Sequence, residues 1–161
     1  MENLKTTVEC LRDLVAFHSE RINGYEALLN RLTPDEQHLT TLFEAFIKQS
    51  INMRQELLDI GANWGLPETQ LVVGGRFGLA WSVVKAVFSS KMPSYSLDKC
   101  KSGENALLIA YHSVEGTDGL QPALRLVINR QKREVIAARD WIAHFGRLQG
   151  QPVEQPLAAV S

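Results

Sequence analysis

The chain has 161 residues, 45% of them hydrophobic and 22% charged, which suits one domain with a single core and excludes an intrinsically disordered chain. Its 17 Lys and Arg against 18 Asp and Glu leave a net charge of -1, so it has no bulk positive field for nucleic acid or anionic lipid. No run reaches the roughly eighteen continuous apolar residues of a membrane span, and residues 1–7 show no signal-peptide core; the expectation is a cytoplasmic protein with neither nucleic acid nor membrane as partner.

Along the first segment Leu4, Val8, Leu11, Val15, His18, Ile22, Tyr25, Leu29 and Leu32 recur at alternating steps of four and three. That period of 3.5 is the seam of a helix packed in a bundle. Thr33-Pro34-Asp35-Glu36 then predicts a second helix start, with Thr33 as cap, Pro34 in the first helical position and Glu36 closing a capping box. Its stripe runs through Leu39, Leu42, Phe43, Phe46, Ser50, Met53, Leu57 and Ile60, with Gly61 and Gly65-Leu66-Pro67 as stop signals. The two helices form an antiparallel hairpin.

Residues 61–96 lack a long periodic pattern and read as a crossover containing a short apolar helix over 77–89. Gly74-Gly75-Arg76-Phe77-Gly78 before that helix matches no phosphate-loop pattern and reads as a turn. A third helix opens at Ser96, carries Leu97, Cys100, Glu104, Leu107, Tyr111 and Val114 on its stripe, and stops near Gly116. After Thr117-Asp118-Gly119 a fourth shows Leu124, Ile128, Gln131, Glu134, Val135, Ala138, Trp141, Ile142, Phe145 and Leu148. Pro152 and Pro156 mark residues 150–161 as an irregular tail.

Two hairpins joined by one long crossover define an all-α, ferritin-like four-helix bundle over residues 1–149. In that connectivity the second and third helices run parallel and the other two run opposite, so sequence position converts into height along the bundle.

Several residue sets together resemble a bacterial ferritin-like four-helix-bundle family of unknown function. They are Leu11-Arg12-Asp13-Leu14 and Arg21-Ile22-Asn23-Gly24-Tyr25-Glu26 in the first helix, and Gln49-Ser50 with Glu56-Leu57 in the second. Leu79-Ala80-Trp81 in the crossover and Cys100-x-x-Gly103-Glu104 complete the set. The resemblance spans residues 4–148 and implies the fold and the crossover helix, without implying a reaction. The chain departs from the family pattern at Lys101, Asn105 and Arg139-Asp140, each of which replaces a potential ligand or acid.

A carboxylate-bridged di-iron centre needs a Glu from each of two helices and Glu-x-x-His from each of the others. The residues three places before His18, His38, His112 and His144 are Val15, Asp35, Ile109 and Trp141, so the complete ligand set is missing and a non-enzymatic role is the first expectation, with enzymatic activity left open. The inward stripes are nevertheless not wholly apolar. His18, Ser50, Tyr111, Gln131 and Glu134 fall at similar heights as one polar layer, with Glu104 lower, level with Tyr25 and Arg139. The first reading is a hydrogen-bonded network that fixes register, Glu104 pairing with Arg139 or a tyrosine hydroxyl. The alternative is a metal-binding protein or metal-dependent oxidoreductase that holds iron, zinc or manganese through His18, Glu104 and Glu134.

Cys10 and Cys100 lack Cys-x-x-Cys spacing and read as free thiols. Gly24 and Gly103 fall at comparable heights on neighbouring helices, which suggests a close backbone approach. The crossover helix is more apolar than one buried face requires, so a homodimer formed through it and the tail is expected. The overall expectation is a structural, stress-related or interaction role as an oligomer.

Overall fold

A computed structural model of the chain describes residues 2–72 and 97–150. The expected crossover helix over 77–89, the turn before it and the tail beyond Gly150 lie outside the described residues. Among the described residues all regular structure is helical: α1 (Glu2–Leu29), a 3-10 helix (Pro34–Leu39), α2 (Thr40–Asn63), a single-turn α3 (Glu68–Leu71), α4 (Leu97–Glu115) and α5 (Pro122–Gly150). No described helix is long and apolar enough to cross a membrane.

The second helical segment starts where the capping signal places it, but not as an α-helix. The Thr33 backbone N–H and hydroxyl both donate to Glu36 Oε1, at 3.0 and 3.1 Å, and the six residues from Pro34 wind as a 3-10 helix before α2 begins at Thr40. The tighter turn ends on Leu39, which is fully buried beside Tyr25 and Phe43.

Gly61 does not stop α2. It lies inside the helix, where an added Cβ would run into Leu71 of α3. The stop is Gly65, whose φ of 78° is open to glycine at no steric cost. The Leu66 N–H reaches back to the Gly61 carbonyl at 2.9 Å and the Gly65 N–H to that of Ala62 at 3.0 Å, which is the paired bonding of a Schellman terminus.

The side-chain contacts give the helix directions. His18 meets Ser50 and Arg21 meets Phe46, so α1 and α2 are antiparallel. Tyr111 meets Gln131 and Arg139 meets Asn105, so α4 and α5 are antiparallel as well. Across the hairpins Arg21 meets Glu104 while His18 meets Tyr111, and Gln131 meets Met53 while Gln49 meets Glu134. Hence α1 opposes α4, α5 opposes α2, and α2 and α4 run parallel.

Because α1 faces both α2 and α4, it buries two adjacent stripes rather than one. Val8, Leu11, Val15, His18 and Tyr25 form the first, and Thr7, Cys10, Leu14, Phe17 and Arg21 the second. Leu4, at the outer end of the expected seam, is 42% exposed. Two apolar clusters result. The larger gathers Leu11, Leu14, Leu57, Leu107, Leu124 and Ile128, and the smaller gathers Tyr25, Leu39, Phe43, Phe46, Cys100 and Ile142 near the α1–α2 turn. Each fully buried Leu or Phe contributes roughly 1.5–3 kcal/mol, and the buried polar residues other than Thr7 sit where the two clusters meet.

Candidate functional site

At that junction Arg21, His18, Ser50, Glu104 and Gln131 are buried, each with relative exposure of 1% or less. Arg21 projects from α1 toward α4 and makes a two-pronged contact with Glu104. Its Nε donates to Oε2 at 2.9 Å and its Nη2 to Oε1 at 2.6 Å. Tyr25, one turn further along α1, donates its hydroxyl to Glu104 Oε2 at 2.8 Å. The Arg21 Nη1 donates to Ser50 Oγ at 2.8 Å and to the Phe46 carbonyl at 3.4 Å. The guanidinium also lies over the rings of Tyr25 and Phe46, 5.7 and 5.3 Å from their centroids, and aromatic faces attract a desolvated cation.

Removing two charges from water is costly, and the pair persists because bidentate geometry and further hydrogen bonds satisfy both ions. Burial pulls the Arg21 proton affinity down, but the Glu104 charge, its hydrogen bonds and the nearby Tyr25 and Tyr111 together outweigh it, and the net shift is upward. Burial likewise pushes the Tyr25 and Tyr111 hydroxyls above the ordinary phenol range, so both stay protonated as donors.

One turn toward the larger cluster, His18 is held at both ring nitrogens. Nδ1 is 2.9 Å from Ser50 Oγ and Nε2 is 2.6 Å from the Tyr111 hydroxyl. Tyr111 donates to Gln131 Oε1 at 2.5 Å, and the Gln131 amide nitrogen donates to the Met53 carbonyl at 3.2 Å and to Glu56 Oε1 at 2.8 Å. Burial, reinforced by Arg21 and Arg54, lowers the His18 pKa to about 3, so the imidazole is neutral near pH 7.

The structure therefore brings together His18, Ser50, Tyr111 and Gln131, and places Tyr25 on Glu104, but it separates others. Glu134 faces outward and is exposed, bonded to Arg130 one turn earlier at 3.5 Å. The carboxylate that completes the polar layer is Glu56, reached by Arg130 as well as Gln131. Arg139 lies at the expected height but contacts Asn105 at 3.2 Å and Asp140 at 3.5 Å, leaving Glu104 to Arg21. The reason is direction rather than height: Gln131, Val135 and Ala138 occupy the buried line of α5, and Glu134 and Arg139 fall beside it. Trp141, placed on the inward stripe by its spacing, is 54% exposed for the same reason.

Arg21 and Glu56 belong to the polar network but lie outside the stripes marked by the spacing. For Arg21 a signal existed, since it follows His18 by three and precedes Tyr25 by four and so shares their helical face. A long charged side chain on an amphipathic helix reads by default as solvated, and its partner becomes visible only across the bundle.

These donors do not fit a metal ion. Both nitrogens of His18 are engaged by hydroxyls, both oxygens of Glu104 accept from Arg21, and Glu134 lies outside. Among the described residues no three His, Cys, Asp or Glu side chains converge as metal ligands. Cys10 and Cys100 are buried and not joined in a disulfide, and burial pushes the Cys10 pKa up, away from the thiolate. Gly24 and Gly103 are both buried on the opposed helices α1 and α4, at the level of the Arg21–Glu104 contact.

On the outer side of α5, Trp141 packs edge-to-face with His144, ring centroids 5.6 Å apart, and with Phe145 at 6.1 Å. Ala137, Asp140, Trp141 and His144 line an open surface depression of about 360 Å³. No protein-family model, curated protein or solved structure matches the chain.

Proposed function

We propose that the chain is a ferritin-like four-helix bundle with a structural, stress-related or interaction role as an oligomer, in which the polar interior fixes one packing of the two hairpins and performs no chemistry. The observation that carries this reading is the mutual saturation of the inward groups. Arg21 and Glu104 neutralise each other, and His18 has no free nitrogen to offer a substrate or metal. Polar contacts of this kind discriminate between packings, since a helix rotated or shifted by one turn leaves the buried ions unpaired. The ferritin-like assignment rests on antiparallel pairs α1/α2 and α4/α5, the parallel sense of α2 and α4, and the long connection between them.

Function then belongs to the outer faces, and the exposed Trp141 cluster on α5 is one such surface. Metal content separates this reading from a metal-dependent one. Protein purified after supplementation with iron, zinc and manganese should contain far less than one equivalent of any of them. Stoichiometric metal that disappears in His18→Ala or Glu104→Ala would replace this proposal with a metalloprotein. Light scattering at micromolar concentration should give a dimer mass, and a monomer would remove the oligomeric part of the reading.

A further inference from the structure

The hydrogen bonds that link the hairpins have a direction, and one residue sets it. Gln131 offers two chemically different ends. Its far end faces the Met53 carbonyl at 3.2 Å and Glu56 Oε1 at 2.8 Å. Both are acceptors, so the amide nitrogen must point there and the amide oxygen must face the Tyr111 hydroxyl. An oxygen accepts and cannot donate, which obliges Tyr111 to give its proton to Gln131 across the 2.5 Å contact.

The remaining contacts follow without freedom. The Tyr111 oxygen, its proton committed, can meet His18 Nε2 at 2.6 Å only as an acceptor, so Nε2 carries the imidazole proton. Nδ1 of the neutral ring is then bare and takes the proton of the Ser50 hydroxyl at 2.9 Å. Ser50 Oγ in turn accepts from Arg21 Nη1 at 2.8 Å. Ser50, His18 and Tyr111 each donate once and accept once along the series.

We propose that the bundle interior is a one-way hydrogen-bond relay, running from Arg21 through Ser50, His18, Tyr111 and Gln131 to Glu56, in which Gln131 dictates the polarity and locks His18 as the Nε2-protonated tautomer. The relay begins on a cation and ends on a carboxylate, so the bond dipoles are aligned with the charges at both ends. It visits α1, α2, α4 and α5, and therefore joins the two hairpins through a single ordered array. The inference deepens the register-fixing reading by naming the residue that chooses between the two orientations of the segment through His18. It stands separately from oligomeric state and metal content, because the tautomer is a property of the folded interior alone.

Replacing Gln131 by Met keeps the side-chain length and removes the acceptor. Tyr111 is then free to donate to His18 Nε2, the ring proton moves to Nδ1, and Nδ1–H donates to Ser50 Oγ. The segment through His18 reverses. Two-dimensional nitrogen-15 to ring-proton correlation spectra of the imidazole distinguish the two tautomers, because the protonated nitrogen resonates well upfield of the bare one. For the wild-type chain near pH 7 the spectrum should show Nε2 protonated, and for Gln131→Met it should show Nδ1 protonated. A wild-type spectrum with Nδ1 protonated, or with averaged shifts of two exchanging tautomers, overturns the proposal whether or not the variant folds. A folded Gln131→Met protein that keeps the Nε2 tautomer overturns the part assigned to Gln131. The spectra are recorded on metal-free protein and a change in oligomer mass leaves these expectations unaltered, so failure here is distinguishable from failure of the broader reading.

Discussion

The middle of the bundle and the amino-terminal half of α1 both bury polar atoms, and they do so in opposite ways. Between the two apolar clusters, Arg21, Glu104, His18, Ser50, Tyr111 and Gln131 are enclosed and every one has a partner. More than one turn up α1 from His18, Thr7 Oγ1 and Asp13 Oδ1 are buried without a hydrogen-bond partner. Asp13, half-buried one turn from Glu9, has its pKa raised to about 6 by burial first and by the Glu9 charge second. The difference teaches that polar burial has no sign of its own. Where partners converge from four helices it specifies the packing, and where they do not it is a load on stability that neighbouring apolar contacts must carry.

The sharpest way to break this contrast is to strand one ion of the central pair. Glu104→Ala should cost about 3–5 kcal/mol, the range found when one member of a buried ion pair is removed, measured by urea unfolding near pH 7. The double variant Arg21→Met with Glu104→Leu should recover most of that loss, because no charge is left unpaired. If the single variant costs less than about 1 kcal/mol, the central pair is no better organised than the Asp13 region.

Acid should expose the next effect. His18 faces Arg21 on its own helix, Arg54 on α2, Tyr111 on α4 and, through Tyr111, Gln131 on α5, with the Glu104 charge already matched by Arg21. Its folded pKa of about 3 lies below the ordinary 6.5, so the unfolded chain binds the proton more readily. The stability it supports is fully present above about pH 6.5 and falls by about 1.4 kcal/mol per unit as pH drops from there toward 3. Unfolding free energies measured across that window should follow this slope, and His18→Gln should flatten it. A His18 that titrates near 6.5 in the folded protein contradicts the enclosure.

Asp13 should give the smallest effect, of opposite sign. Its folded pKa of about 6 exceeds the ordinary 3.8, so its contribution is favourable when protonated below 3.8 and is lost as pH rises through 6. Asp13→Asn should raise the thermal midpoint at pH 7.5 and leave it unchanged near pH 3.5. Because the group is partly solvated, the gain should stay below about 1 kcal/mol. A loss of stability at pH 7.5 would mean that the ionised carboxylate is as well accommodated as Glu104.

How much was legible beforehand depended on whether a feature is local. The 3.5 period, the Thr33–Glu36 start signal and Gly65 after α2 are written in neighbouring residues, and the helix boundaries follow them within a few positions. The polar layer was legible because His18, Ser50, Tyr111 and Gln131 interrupt otherwise apolar stripes. Errors arose at stripe edges. A rotation of some tens of degrees about the axis of α5 decides that Gln131 points inward while Glu134, Arg139 and Trp141 do not, and periodicity alone does not resolve that angle.

Sequence by itself determined that this chain is helical, which positions pair within each hairpin, and that a few polar groups face the interior. Tertiary structure alone decided which of them meet: Arg21 rather than Arg139 on Glu104, Glu56 rather than Glu134 at the end of the polar chain, and both nitrogens of His18 enclosed. The physical reason is range. Helix formation and amphipathicity depend on residues three and four apart, whereas an ion pair or hydrogen bond across a bundle depends on helix rotation, side-chain reach and the absence of competing water, which exist only once four helices have packed.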